Sequence, residues 1–229
     1  MSTFKKNGIL IFVLALITHC AFIYSGWEMG RIVSKLLLVP ILIIYLYASL
    51  PKGKLSPSPV VVFIALFFSF LGDLFLTQEG TMFFLLGMVG FIVTHVCNSI
   101  YFLKLQRFSF SKPLPASLAL VIIVMAIFFV FRLMQENLGD FKVPILAYMA
   151  IIAGMGILAT NVILSPVYRK AAATLLIPGA GLFIVSDAIL AVDKFYFHQP
   201  EIWSIPVMAT YGLAQLLLVK GVEKTISNT

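Results

Sequence analysis

Charge is what this sequence lacks. Of its 229 residues only 11% are Asp, Glu, Lys or Arg, while 61% are hydrophobic and the mean hydropathy is +1.07. A soluble domain carries about 25% charged residues, because it needs a solvated surface. A soluble globular fold is therefore excluded, and the apolar surface must face lipid. No polar block of domain size interrupts the chain, so residues 1–229 read as one transmembrane domain. Cysteine is scarce too. Cys20 and Cys97 both fall inside apolar runs without metal-ligand spacing, and read as small buried residues. The chain contains no G-x-x-x-x-G-K-[ST], no H-E-x-x-H and no G-x-S-x-G. Serine–histidine acyl transfer and phosphoryl transfer thus lack their usual carriers. No cofactor and no metal is implied.

What is present is a series of apolar runs at 8–25, 30–50, 58–77, 81–104, 114–134, 142–164, 171–193 and 201–220. Each is long enough to span a bilayer at about 1.5 Å per residue. The pattern predicts an all-α, polytopic bundle of about eight spans. Lys5, Lys6 and the first run resemble a signal peptide, but no A-x-A-like cleavage site follows, so this run reads as a retained helix. The net charge of +7 does not point to nucleic acid, because the charges sit at the ends of the runs. One side of the predicted membrane carries Lys5, Lys6, Lys52, Lys54, Lys104, Arg107, Lys112, Arg169, Lys170, Lys220 and Lys224. The other carries only Arg31, Arg132, Lys142 and Lys194. Basic loops stay in the cytoplasm, so both termini are expected inside, as in a multi-pass protein of a bacterial inner membrane.

Three charged residues remain within the spans: Lys35, Asp73 and Asp187. An ionisable group at membrane depth costs at least ~2.5–3.5 kcal/mol, so each needs a partner or a function. Counting from the predicted helix ends places all three about 6–9 Å below the outer boundary, with His19 and Tyr148 at comparable depth. Two acids and one base in one layer leave a carboxyl without a counter-charge, the usual basis for one protonated acid beside one carboxylate. The competing reading is a structural ion cluster or snorkelling near the interface.

Other polar residues follow helical spacing. Phe91, His95, Asn98 and Phe102 share a face of the fourth span, with His95 about 21 Å from its outer start. Tyr211 and Gln215 share a face of the eighth; such groups either join helices or line a cavity. Pro178, beside Gly179 and Gly181, interrupts the seventh span two turns before Asp187. The strings Phe70–Leu76 and Ile184–Leu190, each centred on an aspartate, match in pattern 114 residues apart, but their flanking helices match poorly.

These residues resemble the YhhN-like lysoplasmalogenase family of integral membrane proteins. The resemblance lies in Leu71-Gly72-Asp73 with Leu76; Gly87, Phe91 and His95; Phe183 to Asp187 with Leu190-Ala191; and Tyr211 with Ala214-Gln215. Lys35 before Pro40 and Tyr148 before Met155 also fit, and the whole runs from about residue 31 to 221. Asn98 departs from it, because the family more often has tyrosine three residues after the histidine. The resemblance implies hydrolysis of the vinyl-ether bond of a lysoplasmalogen, giving a fatty aldehyde and a glycerophospho-base. The expected partners are then a lysophospholipid substrate and membrane lipid. It further implies that Asp73 and Asp187 carry the reaction. Beside them, Lys35, His95, Asn98, Tyr148, Ser186, Tyr211 and Gln215 are the residues expected to bind or orient substrate, with Lys35 either meeting the lipid phosphate or tuning the two acids.

That chemistry needs a proton donor for carbon and a negative group that stabilises the cation or activates water, which two carboxylates supply in glycosidases. Sequence does not assign the two roles. The alternatives are a proton-coupled carrier, for which acids in a layer also serve, an intramembrane aspartyl protease, an Asp–Asp–His metal site, and a non-catalytic lipid-binding protein. A carrier lacks support from repeats or several broken helices. Ser-Phe-Leu-Gly before Asp73 is unlike the Gly-x-Gly expected of the protease.

Overall fold

The computed structural model describes residues 2–51, 58–109, 111, 113–197 and 200–227, so Lys52, Lys54 and Lys112 lie outside the described residues. The described chain is all-helical. Its long helices are α1 (Ser2–Ser25), α2 (Glu28–Ser49), α3 (Val60–Phe75), α4 (Thr81–Leu105), α5 (Leu114–Met134), α6 (Lys142–Asn161), α7 (Arg169–Phe197) and α8 (Pro200–Ser227). All but α3 are long and apolar enough to cross a membrane; α3 is apolar but has 16 residues. Proline has no N–H to give a helix interior, and Pro59 accordingly caps α3. At its other end the Thr77 hydroxyl donates to the Leu74 carbonyl and closes the last turn. A short α3 brings the polar turn 77–80 into the wall of the cavity described below.

Successive helices pack as antiparallel pairs, with α8 closing back onto α1 and α2. The rings of Phe84, Phe141 and Phe195 meet, so the start of α4, the start of α6 and the end of α7 share one end of the bundle. Both tryptophans, Trp27 and Trp203, lie in or near the connections at this end, as expected of rings at a membrane interface. The opposite end holds Tyr45, whose hydroxyl donates to Glu223 and accepts from Lys220. The core runs between these ends through Phe12, Leu42, Tyr101, Met155 and Phe183. By contrast α5 buries only Ala116, Ala119 and Met134 and presents Ile122 and Phe129 outward. An all-apolar face of that kind suits lipid contact.

Two local features position the site. The first is the crossing of α3 and α4, where a Cβ on Gly90 would stand 2.9 Å from the Phe68 carbonyl oxygen and 3.0 Å from Gly72 Cα. Only glycine allows the two backbones so close, and Gly72 precedes Asp73. The second is Pro178. The chain stays helical through it, because a wider π-helical turn at Ala172–Leu176 precedes the ring. A second such turn, Asp193–Phe197, carries α7 four residues past its expected end. Asp187 therefore stands ten residues before the end of α7 rather than six, and beside His95.

Candidate functional site

Asp73 sits near the end of α3 and is almost wholly buried. Its Oδ1 lies 3.6 Å from Lys35 Nζ of α2. Its Oδ2 accepts from the Tyr211 hydroxyl of α8 at 2.6 Å. Since that hydroxyl has one hydrogen, the 2.9 Å contact between Ser69 and Tyr211 has Ser69 as donor. Ser69 in turn accepts from Gln215 Nε2 at 2.5 Å. The result is a directed chain from Gln215 through Ser69 and Tyr211 to the carboxylate. Each donor polarises the next, and the low dielectric strengthens all of them. Sequence reading missed Ser69; its signal was the i−4 position relative to Asp73 on one helix face.

Asp187, on α7, is held by a second cluster. Tyr148 of α6 donates to its Oδ2 at 2.5 Å, and His95 Nε2 of α4 lies 3.3 Å from the same oxygen and 3.0 Å from the tyrosine hydroxyl. Both contacts fall on Oδ2, which leaves Oδ1 for a ligand. The ring of Phe183 stands between the clusters, edge-on to His95 at 4.7 Å and to Tyr211 at 5.5 Å. Phe91 packs against both Phe183 and Tyr211. This aromatic wall fixes each clamp against the other through packing rather than through a polar bridge.

Both aspartates and Lys35 line one cavity of about 560 Å³ at the end of the bundle that carries the tryptophans. Its walls include Tyr211 and Ser186, the polar turn 77–80, and the cations Arg31 and Lys194. A second, apolar cavity of about 80 Å³ lies between α4, α5, α6 and α7, where Tyr148 and Asp187 are the only polar side chains in its lining. The two share Leu76, Phe84, Phe91, Leu190 and Asp187 as walls. Asp187 therefore stands at the junction of a polar chamber and an apolar slot.

The remaining expected residues divide. His95 and Gln215 line neither cavity, and act only through the residues they touch. Ser186 lines the large cavity, but its hydroxyl is spent on the Val207 carbonyl at 3.0 Å, joining α7 to α8. Asn98 is buried one turn beyond His95, lines neither cavity and makes no side-chain hydrogen bond among the described residues. It is not brought to the site. Among the described residues no group of three His, Cys, Asp or Glu side chains is placed to hold a metal ion.

The YhhN family model matches residues 30–222, which takes in every residue of both clusters. The chain belongs to the YhhN family. Lysoplasmalogenase TMEM86A of Bos taurus is 33% identical over 167 residues, which is 71% of this chain and 65% of that protein. Lysoplasmalogenase TMEM86A of Homo sapiens is 31% identical over 168 residues, with the same coverage of each. The chain thus matches somewhat less than two thirds of the length of these relatives. No solved structure matches. With family membership and its apolar helices, this YhhN-family chain is an integral, multi-pass membrane protein.

Proposed function

We propose that the chain is a membrane hydrolase that cleaves the vinyl-ether bond of a lysoplasmalogen by acid–base catalysis between Asp187 and Asp73. The observation that carries this reading is the shared cavity: two carboxyls, each clamped by a tyrosine, face one chamber that opens beside an apolar slot. Polar and apolar spaces meeting at an acid suit an amphiphile whose reactive bond lies at the junction of head and chain. The names of the two relatives support the same substrate class. The basic residues support a cytoplasmic placement of both termini, which would open the chamber outward, in a bacterial inner membrane.

The roles follow from the surroundings. The alkenyl chain enters the apolar slot and the glycerophospho-base stays in the chamber, so the chain-side carbon of the double bond lies at Asp187. Asp187 gives the proton on its free Oδ1 to that carbon, and the adjacent ether carbon becomes an oxocarbenium ion. Asp73, held as carboxylate by Lys35 and the donor chain, takes a proton from the water that adds to this cation. Asp187, now ionised, removes the hydroxyl proton of the hemiacetal, while Asp73 returns its proton to the departing glycerol oxygen. Aldehyde and alcohol leave, one water is consumed, and both acids regain their starting state. The clamping tyrosines keep each carboxyl in place during these transfers.

The test is incubation of purified protein with a defined 1-alkenyl lysophospholipid in D₂O. The expected product is fatty aldehyde carrying one deuterium on carbon 2, released with one equivalent of glycerophospho-base. Absence of aldehyde, or aldehyde without carbon-bound deuterium, contradicts the reading.

A further inference from the structure

His19 stands on α1, outside the family match and apart from both carboxylate clusters. It is 1% exposed, yet it lines the large cavity. Its two nitrogens are not equivalent. Nδ1 lies 2.8 Å from Ser34 Oγ, whose own hydrogen goes to the Gly30 carbonyl at 2.6 Å. Ser34 must therefore accept, which assigns the ring hydrogen of neutral His19 to Nδ1. Nε2 is left as a bare lone pair, buried and without a hydrogen-bond partner among the described residues. A buried acceptor without a donor is costly, and this one belongs to a side chain in the wall of a cavity from which a ligand can supply the donor. Ser34 also lies between Arg31 and Lys35 on α2, both in the same cavity wall.

We propose that His19 recognises the free hydroxyl of the lysolipid: Nε2 accepts the glycerol sn-2 O–H, while Arg31 at the rim takes the adjacent phosphodiester. This inference rests on the proposed lipid substrate and adds the residue that selects its lyso form. The phosphate cannot itself satisfy Nε2, because a phosphodiester oxygen only accepts and the lone pair needs a donor. A hydroxyl three bonds from the reacting ether oxygen meets that need. A lipid acylated or alkylated at sn-2 has no hydrogen to give, so it leaves the buried nitrogen unpaired and adds bulk against it. Sites built around a substrate hydroxyl reject analogues that lack it, for this reason.

The experiment measures binding to the full chain in nanodiscs, using a 1-O-alkyl glycerophosphoethanolamine and its 2-O-methyl derivative. Neither has a vinyl ether, so no turnover is involved. The free-hydroxyl ligand is expected to bind tighter by on the order of tenfold. His19→Phe should remove that preference by weakening the hydroxyl ligand alone. His19→Gln, whose amide oxygen accepts, should retain part of it. Arg31→Gln should weaken both ligands equally. Equal binding of the two lipids by the wild-type chain overturns the proposal, and so does a preference that survives in His19→Phe. A folded His19→Phe chain that loses both ligands to the same extent also overturns it. Aldehyde release with equal binding of the two ligands would remove His19's role and leave the hydrolase reading intact, whereas selective binding without turnover would do the reverse.

Discussion

Tyr148 donates its phenolic hydrogen to Oδ2 of Asp187 at 2.5 Å, across the gap between α6 and α7. This bond decides which oxygen of the acid is free. With Oδ2 accepting, the hydrogen of the acid form belongs on Oδ1, at the junction of chamber and slot. Tyr148→Phe keeps the ring packed against His95 and removes only the hydroxyl. Its expected effect is a fall in kcat of about ten- to a hundredfold with a small change in KM, because the lost contact orients the acid rather than binding substrate. Initial-rate kinetics of aldehyde release check this; a variant that changes KM alone would assign Tyr148 to substrate binding.

Sequence alone leaves Lys35 between meeting the lipid phosphate and tuning the two acids, and its nitrogen lies 3.6 Å from Asp73 Oδ1. Lys35→Met leaves a nearly buried carboxyl without its cation, so kcat should drop about tenfold or more, and Lys35→Arg should recover much of it. The same kinetics read the outcome. An effect of Lys35→Met confined to KM would return the lysine to a purely phosphate-binding role.

Much of this site was legible in the chain, for a simple physical reason. A charged residue inside an apolar run is too costly to be incidental, so Lys35, Asp73 and Asp187 announced themselves before any geometry was known. The tyrosine clamps were only half legible. Tyr148 and Tyr211 were found by depth and spacing, but which acid each serves depends on how α6 and α8 pack. His19 was singled out by depth alone, and its bare Nε2 exists only because Ser34 spends its hydrogen on Gly30. Asn98 shows the opposite failure. Helical spacing put it on the face of His95, but one turn further along that face it touches neither carboxylate clamp, whereas His95 reaches Asp187 and Tyr148. The extent of α7 was misjudged because π-helical turns at Ala172–Leu176 and Asp193–Phe197 leave no periodic signature.

The α3–α4 crossing supplies a stability prediction. Gly90→Ala sets a methyl against backbone atoms of Phe68 and Gly72, which cannot rotate away. Overpacking of this kind costs about 1–3 kcal/mol, so the unfolding midpoint in detergent should fall. Gly154→Ala is the control, since its new Cβ meets nothing within 4 Å. Equal midpoints for the two variants would mean that the helices separate without penalty.

Topology is tested by reporter fusions. Fusions after Arg107, Lys170 and Lys224 should report cytoplasm, and fusions near Glu28, Glu79 and Asp140 the opposite side, following the basic residues. Two or more reversed readings would overturn the proposed orientation and the outward opening of the chamber.

In the proposed reaction Asp73 and Asp187 work as one acid–base unit. The most direct test is the rate of aldehyde release by purified Asp73→Asn, Asp187→Asn and the double variant, with folding of each checked by thermal unfolding. Asparagine keeps the size and much of the hydrogen bonding of aspartate, but it can neither protonate carbon nor carry negative charge. Each single variant is expected to lose about 10²–10⁴ in kcat, and the double variant should lose little more, because members of one unit are not additive. Near-normal aldehyde release by either folded single variant would contradict the claim.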